Sequence, residues 1–174
     1  MHIRSIDAGE AESRIDDLVA VIRDSVEHGA SVNFLLPVDE GRMRSFWGKA
    51  IADVAADAAV LLVADTGERI VATAMLVPAP QQNQPHRADV AKMLVHSDHR
   101  RQGIAAALLS ALEAEAVARG RTLLLLDTET DSAGERLYES AGWVRFGIVP
   151  GHAMRPDATL APTSFFYKEL TAGA

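Results

Sequence analysis

Apolar positions recur along this chain in two rhythms. In the slower one, Ile15, Leu18, Val19, Ile22 and Val26 return at steps of three and four residues, which predicts a helix. Capping residues from Asp7 to Glu12 open it, and it ends near Gly29. After a loop with Asn33 and Pro37, Met43, Phe46, Trp47, Ile51 and Val54 repeat the pattern behind Asp39, and this spacing marks the aromatics as core. The faster rhythm marks strands at His2–Ile6, Val60–Ala64 and Ile70–Val77. Asp65–Glu68 has the composition of a tight turn, so the last two form an antiparallel hairpin.

Both rhythms meet between Lys92 and Leu109. An apolar run, Val90–Val95, passes through a polar turn into a helix that begins near Ile104 and closes at Gly120. Thr122–Asp127 then reads TLLLLD, the continuous apolar pattern of a strand buried on both faces. Strand, helix and strand in so short a space imply a right-handed parallel crossover. A shorter helix opens in Glu129–Ser132, presents Tyr138 in its last turn and stops at Gly142. Trp143–Val149 and Thr163–Leu170 follow as strands, separated by a loop with Gly151, Pro156 and Pro162. The stretch PAPQQNQPHR interrupts regular structure before the central strand and is expected over one end of the sheet. The resulting order, β-α-α-β-β-β-α-β-α-β-β, describes an α/β protein with a central mixed seven-stranded sheet and about four flanking helices. With no repeat or linker, residues 1–174 are expected to form a single domain.

Composition narrows the function classes. Among 174 residues, 48% hydrophobic and 24% charged is ordinary for a globular chain. The net charge of -7, with no basic block longer than Arg100 and Arg101, excludes a nucleic-acid footprint and suits an amine-bearing substrate. Cysteine is absent, which excludes disulfides, thiolate metal sites and a cysteine acyl-enzyme. His96 and His99 lack a third acidic ligand at a metal-binding spacing, so no metal is expected. The start, MHIRSIDAGE, has no signal-like apolar core and no run approaches the roughly 18 apolar residues of a membrane span, so a cytoplasmic protein without membrane contact is expected.

The turn Arg100, Arg101, Gln102, Gly103, Ile104, Ala105 has the spacing R-x-x-G-x-A. A helix start leaves about four N–H groups unpaired and carries partial positive charge, which suits a phosphate. Gly103 and Ala105 leave the backbone open to approach, and the two arginines add charge-assisted donors. An ordinary strand-to-helix connection is the alternative. Ligands of open sheets bind beyond the carboxyl ends of the strands, where Asp127 ends the next parallel strand and Tyr138 follows one loop later.

The R-x-x-G-x-A turn after an apolar strand, the LYESAGW segment and the order of elements resemble the GCN5-related N-acetyltransferase (GNAT) family over nearly the whole chain. NQPHRADVAKMLVH, LLLLDTET and TSFFYKEL are similar to its tabtoxin-resistance type. The resemblance implies a GNAT fold and acetyl-CoA, with its pyrophosphate on the amides of Arg101 to Ala105. Main-chain groups of Met93, Leu94 and Val95 would pair with the pantetheine arm, and an N–H near Val95 would polarise the thioester. Tyr138 would protonate the departing thiolate. Asp131 stands where the family often has a cofactor-binding asparagine, and capping of the following helix is its other reading. Gly134 replaces a commoner alanine and is expected to loosen that helix slightly.

An alkyl amine, with a pKa of about 10, needs a base near neutral pH. Asp127 is the first candidate, Glu129 the second and His86 the third, although Asp127 also reads as a strand-ending acid. Phe34, Asn83, His86 and Glu129 are placed on the acceptor side, with the Ala30–Pro37 and Gln81–His86 loops walling a pocket. The expected function is acetylation of a small-molecule amine, an amino-acid-like toxin or antibiotic among the options, by direct attack in a ternary complex. Protein N-terminal or lysine acetylation, a non-catalytic acyl-CoA-binding module and a different phosphate ligand stay open. The assembly is expected to be a monomer or homodimer.

Overall fold

A computed structural model describes residues 1–171. Seven strands form one sheet in the order β1-β2-β3-β4-β5-β7-β6: β1 (His2–Ile6), β2 (Val60–Asp65), β3 (Ile70–Pro78), β4 (Arg87–Val95), β5 (Leu123–Glu129), β6 (Val144–Met154) and β7 (Leu160–Glu169). Among the described residues only β4 and β5 are parallel neighbours, so the sheet is mixed as expected. Apolar side chains pack on both faces. On one, Ile104, Leu108 and Leu112 of α4 (Ile104–Ala118) meet Leu62, Ala74, Leu124 and Phe166. On the other, Leu18 and Ile22 of α2 (Ile15–Glu27) and Met43 and Trp47 of α3 (Glu40–Ala55) meet Leu61, Val63, Met75 and Leu94. Helices on both faces explain why β2 and β3, antiparallel strands, are nearly continuous apolar runs.

Five α-helices stand among the described residues where about four were expected. The first predicted helix breaks into α1 (Ala8–Ser13) and α2 at Arg14, whose backbone leaves the helical region (φ -109°, ψ 20°). There the Ser13 hydroxyl competes for the Glu10 carbonyl and the Arg14 guanidinium turns to Asp17 and Asp65. β6 and β7 run longer than predicted. The expected loop residue Gly151 (φ 60°) lies within an irregularity of β6 between Val149 and Ala153, and the connection shrinks to a turn closed by Arg155 and Thr159. Likewise β5 continues past Asp127, because Thr128 and Glu129 still pair with Ser164 and Thr163 of β7.

Two departures from regularity open a cleft. β4 and β5 pair only over Arg87–Asp89 and Leu123–Leu125, then separate. Opposite β3, the register of β4 slips between Leu94 and Ala91, with Lys92 at φ 50° and its carbonyl accepting from the Thr73 hydroxyl at 2.9 Å. This bulge bends β4 where it leaves β5.

Candidate active site

The turn between β4 and α4 is fixed from outside the sheet by one buried acid. Asp24 of α2 accepts from the Ser97 amide at 2.7 Å and the Ser97 hydroxyl at 2.6 Å, with His28, His96 and Arg100 close by. Burial alone would raise its pKa; the Ser97 donors and the two histidines outweigh that and hold it below the usual carboxylate range. A depressed carboxylate stabilises the fold above its unfolded pKa of about 4, and that stability is lost as pH falls through the lower folded value. Asp24→Asn is therefore expected to cost about 1–3 kcal/mol in urea unfolding at pH 7, a gap that shrinks below about pH 4.

Beyond Ser97–His99 the chain turns through Arg101 (φ 61°) and Gly103 (φ 79°), both left-handed. Gly103 precedes α4 with no side-chain cap, so the first amides of the helix face outward beside an exposed glycine. A side chain at position 103 has open space around it, so glycine is required by its φ alone. The side chain of Ile104 is buried in the core and Ala105 is half-buried, leaving only backbone for a ligand there. Arg100 does not join the turn as expected. Its Nε donates to the Val95 carbonyl at 3.0 Å and its guanidinium lies 3.6 Å from Asp24, whereas Arg101 and Gln102 stay exposed, with the Gln102 amide donating to the Asp98 carbonyl.

The strand side of the cleft supplies free backbone. The His96 amide donates to Val71 of β3, so alternation along β4 puts the Leu94 amide on the β3 side and those of Met93 and Val95 on the cleft side. Leu94 thus belongs to the ladder and core rather than to a ligand's edge, and its side chain is buried. The other two offer a strand-like edge to an extended arm.

The cleft offers about 220 Å³, lined by Val90–Leu94 of β4, Asp127–Glu129 of β5, Tyr138, Ser31–Asn33 of the loop after α2, His152 and Ala153 of β6, and Thr163. Asp127 is exposed to it and acts electrostatically on Lys92, Asp89 and Tyr138. Tyr138 lies in α5 (Ala133–Ser140) with only 6% of its surface exposed, its ring against Trp143 and Phe166. Burial, seconded by the Asp127 charge, pushes its phenol well above the ordinary tyrosine value. The phenol therefore stays protonated, a standing hydrogen-bond donor and a weak acid.

Several expected site residues find other places. Glu129 lines the cleft but accepts from Arg155 Nε at 2.7 Å, so its charge is already paired. His86 and Asn83 are at the wrong end. The His86 carbonyl accepts from the amides of Thr122 and Leu123, at the start of β5, about 13 Å along that strand from Asp127 at 3.3 Å per residue. The glutamine-rich loop does cover an end of the sheet, but the one opposite the cleft. Phe34 packs edge-on against Phe46 at 6.1 Å, and its neighbours Ser31–Asn33 take the lining role. Asp131 (φ 63°) does not cap α5: Ser132 accepts the Glu135 amide, while the exposed Asp131 lends only its amide to Glu135 and its carbonyl to Arg136.

Gly134 also behaves otherwise than expected. A Cβ there would stand 2.8 Å from the Thr128 hydroxyl, so glycine lets α5 lie close on β5. Sequence reasoning missed Lys92, His152 and Thr163 as lining residues. The lone lysine inside the apolar run VAKMLV was the available signal for the first; the other two had none.

A model of the acetyltransferase (GNAT) family matches residues 25–143. Among solved structures, ribosomal-protein-alanine N-acetyltransferase from Brucella melitensis is 24% identical, with 98% of this chain and 100% of that one covered and a TM-score of 0.77. A GNAT superfamily phosphinothricin acetyltransferase from Sinorhizobium meliloti, in complex with acetyl-CoA, is 18% identical over 99% and 90%, with a TM-score of 0.79. An N-acetyltransferase from Staphylococcus aureus is 17% identical over 98% of both, also at 0.79. At these identities the likeness establishes a shared fold.

Proposed function

Since the chain belongs to the GNAT acetyltransferase family, we propose that it acts as a single-domain N-acetyltransferase on the amine of a small molecule, by direct attack within a ternary complex with acetyl-CoA. The residues present suit that cofactor: an uncapped helix start behind Gly103 for the diphosphate, and the free Met93 and Val95 amides for the extended arm. When bound, acetyl-CoA supplies an activated acetyl thioester. The Val95 amide, on the cleft side of β4, would hold the thioester oxygen. Asp127 takes the proton of the incoming ammonium, directly or through water. With acetyl-CoA bound, Tyr138 would supply a hydrogen bond to stabilise the departing sulfur. Full proton transfer from Tyr138 is uphill, since its phenol is raised while a simple thiol has a pKa of about 8.5.

The observation that carries the small-molecule reading is the size of the cleft and the walls on its two sides. About 220 Å³ between Ser31–Asn33 on one side and His152–Ala153 on the other suits a compact acceptor better than a protein segment. The β6–β7 hairpin thus plays the walling part expected of the Gln81–His86 loop. Similarity of NQPHRADVAKMLVH, LLLLDTET and TSFFYKEL to the tabtoxin-resistance type supports a toxin or antibiotic as acceptor. No described helix is long and apolar enough to cross a membrane, and a cytoplasmic setting belongs to the same proposal. The test is thiol release from acetyl-CoA against amino acids, β-lactam amino acids, aminoglycosides and polyamines. Release with at least one small amine is expected; release only with peptides would overturn the reading.

A further inference from the structure

We propose that Lys92 is the anion-recognition residue of the acceptor pocket, so that the acceptor is a small amine also carrying an anionic group, a carboxylate being the simplest. This rests on the acetyltransferase reading of the same cleft. Lys92 interrupts the apolar run Val90–Val95, and the bulge of β4 gives it a left-handed backbone (φ 50°) that lysine seldom adopts. That conformation turns its side chain out of the ladder. The Nζ sits 4.9 Å from the centre of the Phe46 ring, and Phe46 is braced edge-on by Phe34 and Trp47. A cation over an aromatic face is held without being neutralised.

Charge pairing singles Lys92 out further. No carboxylate oxygen lies within 4.0 Å of its Nζ among the described residues, whereas Arg155 at the cleft edge is already taken by Glu129. Among the described residues Lys92 is the only Lys or Arg lining the cavity. The residue is half-buried, and burial lowers its pKa, against which the Asp127 charge works only partly. An arriving anion would complete what Asp127 leaves undone.

Its direction also separates it from the cofactor. Met93 and Val95 pack with the cluster around α4, whose first turn is the diphosphate site, while the Lys92 ammonium points to Phe46 of α3 on the other face. Asp127 on β5 faces it across the cleft as the opposite charge. A compact zwitterion therefore has one orientation, with its ammonium toward Asp127 and its anionic end toward Lys92. A diamine would set its second ammonium against Lys92 in a partly desolvated site.

The experiment compares amino acids with their amides or methyl esters, the same skeletons without the carboxylate, in wild type and Lys92→Gln. Wild type is expected to favour the carboxylate form in kcat/KM by about ten- to a hundredfold, the range of a hydrogen-bonded ion pair. Lys92→Gln should bring that ratio close to one, and Lys92→Arg should keep most of it. A ratio unchanged by Lys92→Gln, or a rise in the KM for acetyl-CoA in place of the acceptor effect, overturns the proposal. If no amine of either kind is acetylated, the enzymatic reading is what fails. Calorimetry of the amino acid against the CoA-loaded protein then still decides on Lys92, since binding lost in Lys92→Gln supports it and binding retained refutes it.

Discussion

Tyr138→Phe is expected to lower kcat by about a hundredfold or more, the lower range for losing a positioned acid, while the Kd for acetyl-CoA changes little. The substitution removes one oxygen and keeps the ring that Trp143 and Phe166 pack against, so the fold should be undisturbed. Since burial and Asp127 hold the phenol protonated, a hydrogen bond to the developing thiolate is its main contribution, and this should not titrate across the neutral range. A flat wild-type to Phe ratio from about pH 6 to 9 is the expected profile. Turnover unaffected by the substitution, with acetyl-CoA bound as before, would take Tyr138 out of the chemistry.

Asp127→Asn is expected to cost about a hundredfold in kcat/KM at pH 7, with a characteristic recovery. Without its base the enzyme depends on amine that is already neutral, a fraction that grows as pH approaches the amine pKa of about 10. The gap between wild type and variant should therefore narrow steadily from pH 7 to pH 9.5. A gap constant with pH would mean that Asp127 only shapes the pocket, and Glu129, freed from Arg155 by Arg155→Ala, would become the residue to examine next.

Much of this was written in local pattern. The strand Val90–Val95, the turn to Gly103 and the helix behind it follow from apolar period and from a glycine at position 103, where φ is 79°, because those constraints act within a few residues. Tyr138 and Asp127 were legible because a short crossover leaves β5 and α5 few places to be. Long-range partners were not. Nothing near Arg100 in the chain announces Asp24, 76 positions earlier, which draws its guanidinium off the phosphate turn. The reach of His86 was misjudged because its backbone pairing with the start of β5 is a tertiary contact. Lys92 was passed over because a bulge, not the composition of its strand, decides where its side chain points.

The 2.8 Å between Thr128 Oγ1 and a would-be Cβ on Gly134 ties two positions of the chain into one inheritance. An alanine at 134 meets the Thr128 hydroxyl, so that hydroxyl must turn away from its partner Ser132, or Thr128 must shrink, or α5 must ride up from β5 and carry the Tyr138 phenol with it. Thr128 can shrink while glycine stays at 134, whereas alanine at 134 is eased only once Thr128 has given way, so the order of the two changes decides whether the second arrives as a defect.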